Sequence, residues 1–389
     1  MTIKNGPTGF GTITDIDGKY SIKADNGQTL LFSFIGFKTT ERKVDGRQLS
    51  ISMEPDNESL DEVVVIGYGT ATKKEITGSV ATIGRDDMNV GTFTNAMGLL
   101  QGKVAGLSIV NPNGADPTAS YEVLLRGTNT LSAGQGPLVI IDGVVGADIR
   151  NVNFEDVESV DVLKDGSAAA IYGTRGTNGV IIVTTNRQAS DVEAKTIEYN
   201  GYVAIAKVAN KLDILSADQW RGYVRENNIG NAQDYGANTD WQDELLRTAV
   251  SHSHNIAFSN TKRTNGYRAS FTYQNTQGVV ERNNMNRLAG SLSAYQTGLN
   301  GRLRLDEGIN ANFDSWHPVD TRIFERMINL NPTFPVYNPD GSYAQLGGTN
   351  TENPVEINNN RTEDRKRHRF LGYLKAELDI IDGLKGVVN

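Results

Sequence analysis

Few residues in this chain have the types and spacing that catalysis or metal binding requires. The chain contains four histidines and no cysteine, which excludes thiolate catalysis, disulfides and cysteine-based metal sites. His252 and His254 alternate on one predicted strand face and are candidate metal ligands, but no acidic residue lies at a useful spacing. No Ser/His/Asp set or pair of carboxylates stands out. The sequence therefore predicts no enzyme, no metal site and no cofactor.

The glycine-rich stretch GTRGTNG resembles a phosphate-binding loop in its spacing. Gly173, Gly176 and Gly179 are not followed by Lys-Ser or Lys-Thr, and the next residues, VIIVTT, predict a strand where such a loop leads into a helix. We interpret these glycines as permitting the turn before that strand.

The stretch DEVVVIGYG, residues 61–69, sets four β-branched residues between an acidic run and a glycine-rich exit. Such side chains prefer extended backbone, and polar residues flank the stretch on both sides. Two interpretations are open. The stretch is either an edge strand of a neighbouring domain or an extended segment whose backbone pairs with the sheet edge of another protein.

Charge and hydropathy restrict the possible partners. The net charge of −8 does not suit a phosphate backbone, so nucleic acid is not an expected partner. No apolar run approaches the roughly 18 residues that a membrane helix needs. The start, MTIKNGPTGFGT, lacks the apolar segment of a secretory signal. We therefore expect either a cytoplasmic protein or a fragment.

The first half of the chain contains two regions with different sequence patterns, joined by an acidic segment. Residues 11–53 carry Asp-Gly or Asn-Gly dipeptides at 17–18, 26–27 and 45–46, which favour hairpins and predict a small antiparallel β domain. Residues 54–62 hold one proline and five carboxylates and predict a solvated linker. Residues 71–188 mix helix and strand patterns, for example NFEDVESVDVLKD, and predict a compact α+β domain.

The last two hundred residues alternate with a period of two. In GYRASFTYQ, Tyr267 and Phe271 alternate with Arg268 and Ser270, and a strand sends these two sets to opposite faces. Similar alternation occurs at 197–205, 252–259, 287–294, 302–314 (interrupted by Glu307) and 370–380. The connections between these stretches alternate between long and short, as in a membrane barrel. A soluble β-sandwich or solenoid is the competing interpretation.

LDEVVVIGYGTATKKEITGSV resembles the TonB box and linker of SusC/RagA-type TonB-dependent outer-membrane transporters. LLQGKVAGLSIV, LLRGTNTL, PLVIIDGV and VESVDVLKDGSAAAIYGTRGTNGVIIVTT are similar to that family's plug domain. GTITDIDGKYSI and LLFSFIGFKT resemble its carboxypeptidase-regulatory-like β domain. The family's signal peptide, leading strands and most of its 22 barrel strands are missing. We therefore expect an N-terminal fragment whose strands cannot close a barrel.

The resemblance implies a multi-domain fold. It comprises a small all-β sandwich (1–54), a linker with the TonB box (55–70), an α+β plug domain (71–188) and the first six to seven strands of a truncated, antiparallel transmembrane β-barrel (189–389). It implies TonB-dependent import of a bulky nutrient across the bacterial outer membrane, with the N-terminal domain and the box in the periplasm. The implied partners are TonB, a SusD-like surface lipoprotein, an oligosaccharide or peptide cargo and outer-membrane lipid.

The resemblance also suggests site residues. It assigns TonB binding to nine consecutive residues, which are Asp61, Glu62, Val63, Val64, Val65, Ile66, Gly67, Tyr68 and Gly69. Arg126, in LLRGT, is a candidate latch that pairs with a carboxylate of the barrel wall or of another plug strand, or else a structural ion pair. Aromatic residues in or beside the long connections are candidates to stack on sugar rings, namely Trp220, Tyr223, Trp241 and Trp316. An aromatic belt at the membrane boundary is the alternative for Trp316.

Two other functions stay open. One is an outer-membrane signal transducer whose N-terminal domain contacts an anti-sigma protein, although the strand-rich start does not resemble a βαβ signalling domain. The other is a periplasmic β-adhesion module, which would lack the sequence stretches that resemble a plug domain.

Overall fold

A computed structural model describes most of the chain, namely residues 2–3, 12, 14–15, 18–34, 37–46, 48–53, 63–66, 69–72, 80–89, 91, 93, 96–114, 116–127, 134–164, 170–186, 193–347, 351–381 and 383–389. The chain divides into two units. One comprises Met1–Val63 with Thr72–Glu75, and the other comprises Val64–Ala71 with Ile76–Asn389.

The first unit contains a three-stranded antiparallel sheet, as the hairpin signals predict. Its strands are β1 (Thr2–Ile3), β2 (Thr29–Phe34) and β3 (Phe37–Lys43), paired in that order. Residues 19–25 alternate between exposed and half-buried positions as a strand would, yet they belong to no strand. Alternation alone reflects the packing of one face, whereas a strand also needs a backbone partner.

A short two-stranded sheet follows in the chain. It pairs β4 (Val63–Ile66) with β5 (Gly69–Thr72). Val63–Ile66, whose pairing partner the sequence left open, therefore pair within the chain. Only two residues separate the strands, so the entropy cost of bringing them together is small.

A five-stranded mixed sheet forms the centre of the α+β region. Its strands are β6 (Val80–Gly84), β9 (Leu138–Ile141), β10 (Val144–Val145), β11 (Val157–Leu163) and β12 (Val180–Thr185), in the order β10-β9-β12-β11-β6. A separate hairpin pairs β7 (Leu107–Val110) with β8 (Glu122–Leu125). The aliphatic residues of β11 and β12 are almost wholly buried, and in β12 they form the continuous apolar run VIIV that is typical of a strand buried on both faces.

Short 3-10 helices connect these strands. They span Arg85–Asp87, Ala96–Leu100, Ile149–Asn151, Phe154–Asp156 and Ala170–Gly176. The turn between β9 and β10 is built by Asp142 and Gly143, which both have positive φ, as in the tight hairpins that Asp-Gly favours. The buried Asp142 carboxylate then accepts hydrogen bonds from the backbone and hydroxyl of Thr185, at 3.0 and 2.7 Å.

Seven long antiparallel strands follow in one sheet, paired in chain order. They are β13 (Ala194–Ala206), β14 (Ala249–Thr261), β15 (Asn265–Gln277), β16 (Asn284–Gly298), β17 (Leu303–His317), β18 (Arg365–Ile381) and β19 (Leu384–Val388). We call this sheet the wall. All six predicted alternating segments lie in it, and β17 continues through Glu307 without a break.

The connections of the wall divide between its two rims. Because neighbouring strands are antiparallel, the connections 207–248, 278–283 and 318–364 lie at one rim, and 262–264, 299–302 and 382–383 lie at the other. We call the first the long-connection rim and its three connections together the cap. This division confirms the predicted alternation of long and short connections.

Four helices and a hydrophobic core organise the cap. The helices are α1 (Ala217–Glu226), α2 (Trp241–Leu245), α3 (Arg322–Asn329) and α4 (Pro354–Asn360). Trp241, Val280 and Ile323 come from the three different connections and share one buried cluster. Among the described residues, none of the helices is long and apolar enough to cross a membrane.

An ion pair helps to fix the start of α3 in the cap. A hydrogen bond from Arg322, reinforced by the charge of Arg361, lowers the pKa of Asp320 to about 2. The carboxylate therefore remains charged above that pH.

Candidate functional site

The wall has the opposite polarity from the sheet of a water-soluble protein. One face presents large apolar side chains to the outside, including Ile197, Val203, Phe258, Phe271, Leu292, Ile309, Phe370 and Leu374. The other face buries polar side chains, including Asn255, Arg268, Thr272, Gln274, Arg287, Asn312 and Asp314. A strand sheet with an apolar exterior and a polar interior is typical of a membrane barrel, and the soluble-sandwich interpretation does not account for it.

The α+β region covers this polar face, and an ion pair forms the most deeply buried contact between them. Asp156, at the end of a 3-10 helix, pairs with Arg268 of β15, and their side chains are 5% and 1% exposed. The hydroxyls of Ser270 and Ser291 donate to the same carboxylate at 2.7 and 3.1 Å. A buried carboxylate needs such hydrogen-bond partners, and here they hold Asp156 in position against the wall.

Further polar contacts join the same loop to the wall. Asn153 donates to the Thr272 hydroxyl, and Asn312 donates to the Asn151 carbonyl. Elsewhere, Gln274 donates to the carbonyl of Phe93 at 3.1 Å. These hydrogen bonds lie beside an apolar contact, because Leu371 of β18 packs into the hydrophobic cluster of the α+β region.

A second charged network lies nearer the long-connection rim. Asp314 accepts from Arg287 at 2.8 Å and also pairs with Arg369. Across from it, Asp148 pairs with Arg150 at 2.7 Å and approaches Arg369 at 4.0 Å. Burial opposes the charge on Asp148, but the hydrogen bonds from Arg150 outweigh it and hold the pKa of that carboxyl below its ordinary value.

The predicted TonB-binding segment contains the strand β4. Val63–Ile66 pair with Gly69–Thr72 in their own two-stranded sheet, separate from the five-stranded sheet and from the wall. Asp61, Glu62, Gly67 and Tyr68 lie outside the described residues. Val63–Ile66 are therefore extended and paired within the chain, and TonB binding by the segment stays a prediction.

The predicted latch, Arg126, occupies a turn after β8. It has positive φ, its side chain is exposed, and its backbone N–H donates to Gly106 at 2.9 Å. The buried ion pair described above, between the α+β region and the wall, is formed by Asp156 and Arg268, and a latch role for Arg126 stays a prediction. Sequence reasoning missed Asp156, although the alternation of β15 had placed Arg268 on the polar face.

The glycines of GTRGTNG serve a structural turn, as predicted. Gly173 and Gly179 have positive φ. A Cβ on Gly179 would also lie 2.1 Å from Leu125 Cδ2 and 3.0 Å from the Leu163 carbonyl, so only glycine fits there.

The histidine pair of β14 faces outward. The rings of His252 and His254 lie 5.3 Å apart, and Nδ1 of His254 is 2.7 Å from the Tyr199 hydroxyl. In the part of the chain that the structure describes, no three His, Cys, Asp or Glu residues are grouped to hold a metal ion.

The candidate sugar-stacking aromatics differ in how exposed their side chains are. Trp241 is buried in the core of the cap, so its ring is not available to a ligand. Trp316 is also buried, with the Arg367 guanidinium 4.9 Å from its ring centroid. Trp316 lies on the buried, inward face of β17. The aromatic-belt alternative for Trp316 is therefore wrong. Tyr223 remains exposed on α1, and Trp220 is half-buried there.

Comparisons with known proteins agree with this architecture. Residues 72–180 match the TonB-dependent receptor plug domain, and residues 1–65 match the CarboxypepD_reg-like domain. A solved structure of the RagAB peptide importer in its open-open state superposes with a TM-score of 0.71 at 23% identity, covering 83% of this chain and 41% of that one. The fold and the domain matches together define a TonB-dependent receptor.

Proteins of similar sequence show which type of TonB-dependent receptor this chain belongs to. The chain is 37% identical to the TonB-dependent receptor SusC of Bacteroides thetaiotaomicron over 88% of its own length, and 33% identical to TonB-dependent receptor P3 of Formosa agariphila over 97%. The chain is of the SusC/RagA type of TonB-dependent receptor, and both relatives are named as TonB-dependent receptors. It spans 35% and 38% of the length of these two relatives.

Proposed function

We propose that this chain is the plug-bearing part of an outer-membrane importer for a bulky nutrient. The observation that carries the proposal is the plug held by polar contacts on the inner face of a wall whose outer face is apolar. Such a plug blocks the lumen until work removes it. The domain boundaries 1–54, 55–70, 71–188 and 189–389 belong to this proposal.

The proposed point of force application is the segment from Asp61 to Gly69. A partner that supplies a sheet edge would pair with the backbone of this segment, as in other cases of strand addition. We propose that TonB is this partner, acting from the periplasm. The segment already adopts strand geometry in β4, so TonB pairing requires exchange of the β5 partner and little change of backbone dihedrals.

The cap is the proposed docking surface for a SusD-like lipoprotein, and an oligosaccharide or peptide is the proposed cargo. The cap stands at the long-connection rim, which in this proposal faces the outside of the cell. RagAB, whose fold this chain shares, is described as a peptide importer.

Proline substitution in the box tests the proposal. In the full-length transporter that contains this chain, Val64→Pro removes one backbone donor from the segment. We expect growth on the cargo to be abolished while the amount of protein in the outer membrane stays the same. Growth at the unaltered rate would exclude a role for this segment.

A matched variant separates TonB pairing from the hairpin itself. Thr70→Pro interrupts the same two-stranded sheet from β5 but leaves the donors of the box intact. We expect Thr70→Pro to retain most of the growth. Equal loss in both variants would assign the effect to the hairpin.

A further inference from the structure

A cavity between the plug and the wall has arginine as its commonest lining residue. Its volume is about 210 Å³, and it lies near the long-connection rim. Five guanidiniums line it, from Arg150, Arg287, Arg365, Arg367 and Arg369. The single carboxylate that lines it belongs to Asp314.

The carboxylates around the cavity do not balance these charges. Asp314 serves both Arg287 and Arg369, Asp148 serves Arg150, and Glu363 is shared between Arg365 and Arg361 outside the cavity. Among the described residues, four of the five guanidiniums thus pair with three carboxylates, and Arg367 pairs with none. The cavity therefore carries an excess of positive charge, and such a local field attracts an anion.

Arg367 is the guanidinium with the greatest capacity to bind that anion. Its one contact among the described residues is with the ring face of Trp316, which holds the side chain in place. Its N–H donors have no carboxylate, and a guanidinium fork matches two oxygens of a carboxylate or sulfate.

The arginines that line the cavity become more deeply buried along one strand. Arg365, Arg367 and Arg369 occupy successive inward positions of β18, and side-chain exposure falls from 53% at Arg365 to 10% at Arg369. An anion that enters from the cap therefore meets an exposed cation first and reaches more buried ones next to the plug. The three arginines thus offer an anion successive binding positions that lead from the rim towards the plug.

We propose that this arginine cavity binds an anionic group, a carboxylate or sulfate, of the imported molecule. The inference rests on the proposed import function and assigns its cargo a negative charge. Acidic oligosaccharides and acidic peptides both offer that group, and the experiment distinguishes them.

The test is calorimetric titration of the purified full-length transporter, which needs neither TonB nor an energised membrane. The probes are a uronic-acid oligosaccharide, a sulfated oligosaccharide, an acidic peptide, neutral counterparts of equal length and inorganic sulfate. We expect an anionic oligomer to bind more tightly than its neutral counterpart and more weakly as salt rises. The oligomer class that binds identifies the cargo class.

Arg367→Gln is the informative variant, and Lys366→Gln is its matched control. Lys366 is the adjacent residue of β18, carries the same charge and faces the other side of the wall. We expect Arg367→Gln to weaken binding about 10-fold to 100-fold, Arg367→Lys to weaken it less, and Lys366→Gln to leave it unchanged. Heat-modified gel mobility verifies that each variant is folded.

Several results would overturn the inference. They are equal affinity for anionic and neutral oligomers, binding of none of the probes, equal effects of the two glutamine variants, or inorganic sulfate binding as tightly as any oligomer. The last outcome would make the cavity a counter-ion site. Failure of the proposed import function would appear separately, as normal growth of the Val64→Pro variant.

Discussion

At the scale of single residues, the ion pair of Asp156 and Arg268 is the contact most sensitive to change. Asp156→Asn preserves shape but leaves the guanidinium without its nearest counter-charge, since Glu198 is 3.8 Å away. Removing one partner of a buried pair costs about 3–5 kcal/mol. We expect the free energy of unfolding of the plug to fall by about that amount, with faster hydrogen exchange of the amides of β11.

An exposed pair provides the control for that measurement. Asp243→Asn removes a carboxylate that pairs with Lys211 on the surface of the cap. Because solvent screens such an exposed pair, we expect hydrogen exchange in β11 to stay unchanged. If both variants change hydrogen exchange in β11 equally, the Asp156 contact does not hold the plug in place.

The sequence predicted half of this contact and could not predict the other half. Period-two alternation placed Arg268 and Ser270 on the polar face of a strand. Asp156 lies 112 residues earlier in the chain than Arg268, and no local pattern encodes which loop covers a distant strand. Arg126 was the candidate because its charge lies within a plug phrase, but the turn at positive φ leaves its side chain exposed.

At the scale of elements, glycines that lie opposite tyrosines help to fix the register between neighbouring strands of the wall. Gly266 lies opposite Tyr295, and Gly308 opposite Tyr373. A Cβ on Gly308 would lie 2.4 Å from the ring of Tyr373, and one on Gly266 would lie 2.5 Å from that of Tyr295. Each ring covers the backbone of its glycine, which fixes strand register as aromatic–glycine pairs do in β-sheets.

Gly308→Ala tests this role. The added methyl group must displace the Tyr373 ring, and overpacking of this kind costs about 1–3 kcal/mol. We expect a lower free energy of unfolding of the folded barrel in a denaturant titration. Gly372→Ala is the control, because its Cβ would meet only the Gly308 carbonyl at an ordinary 3.6 Å. A Gly308 variant as stable as the Gly372 variant would contradict this role of the tyrosine.

Elements with strong periodicity were predictable, and those that depend on tertiary partners were not. The six alternating segments of the wall, the buried strand of PLVIIDGV and the turn at Gly173 all follow from local patterns. The pairing of β4 with β5 and the shared core of the cap do not. Trp241 was a candidate for sugar stacking because it lies in a long connection, and only the packing of three connections together buries it.

At the scale of the whole molecule, exposure alone does not reveal which solvent a side chain faces. Phe271 at the centre of β15 is 50% exposed, and Tyr223 on α1 of the cap is 53% exposed. The polarity of the wall implies that the first faces lipid and the second faces water. The two residues are therefore a matched pair with nearly equal exposure and different surroundings.

Arginine at each of these positions distinguishes the two environments. A cation on the lipid face near the bilayer midplane costs about 2–4 kcal/mol, whereas most exposed surface substitutions stay within about 0.5 kcal/mol. For the full-length protein folded into lipid vesicles, we expect Phe271→Arg to lower the free energy of unfolding by the first amount and Tyr223→Arg to leave it nearly unchanged. Because both substitutions add the same charge and remove one ring, a general charge effect would affect them alike. If the two variants were equally stable, the apolar face of the wall would not be in lipid, and the proposed import function would lose the observation on which it depends.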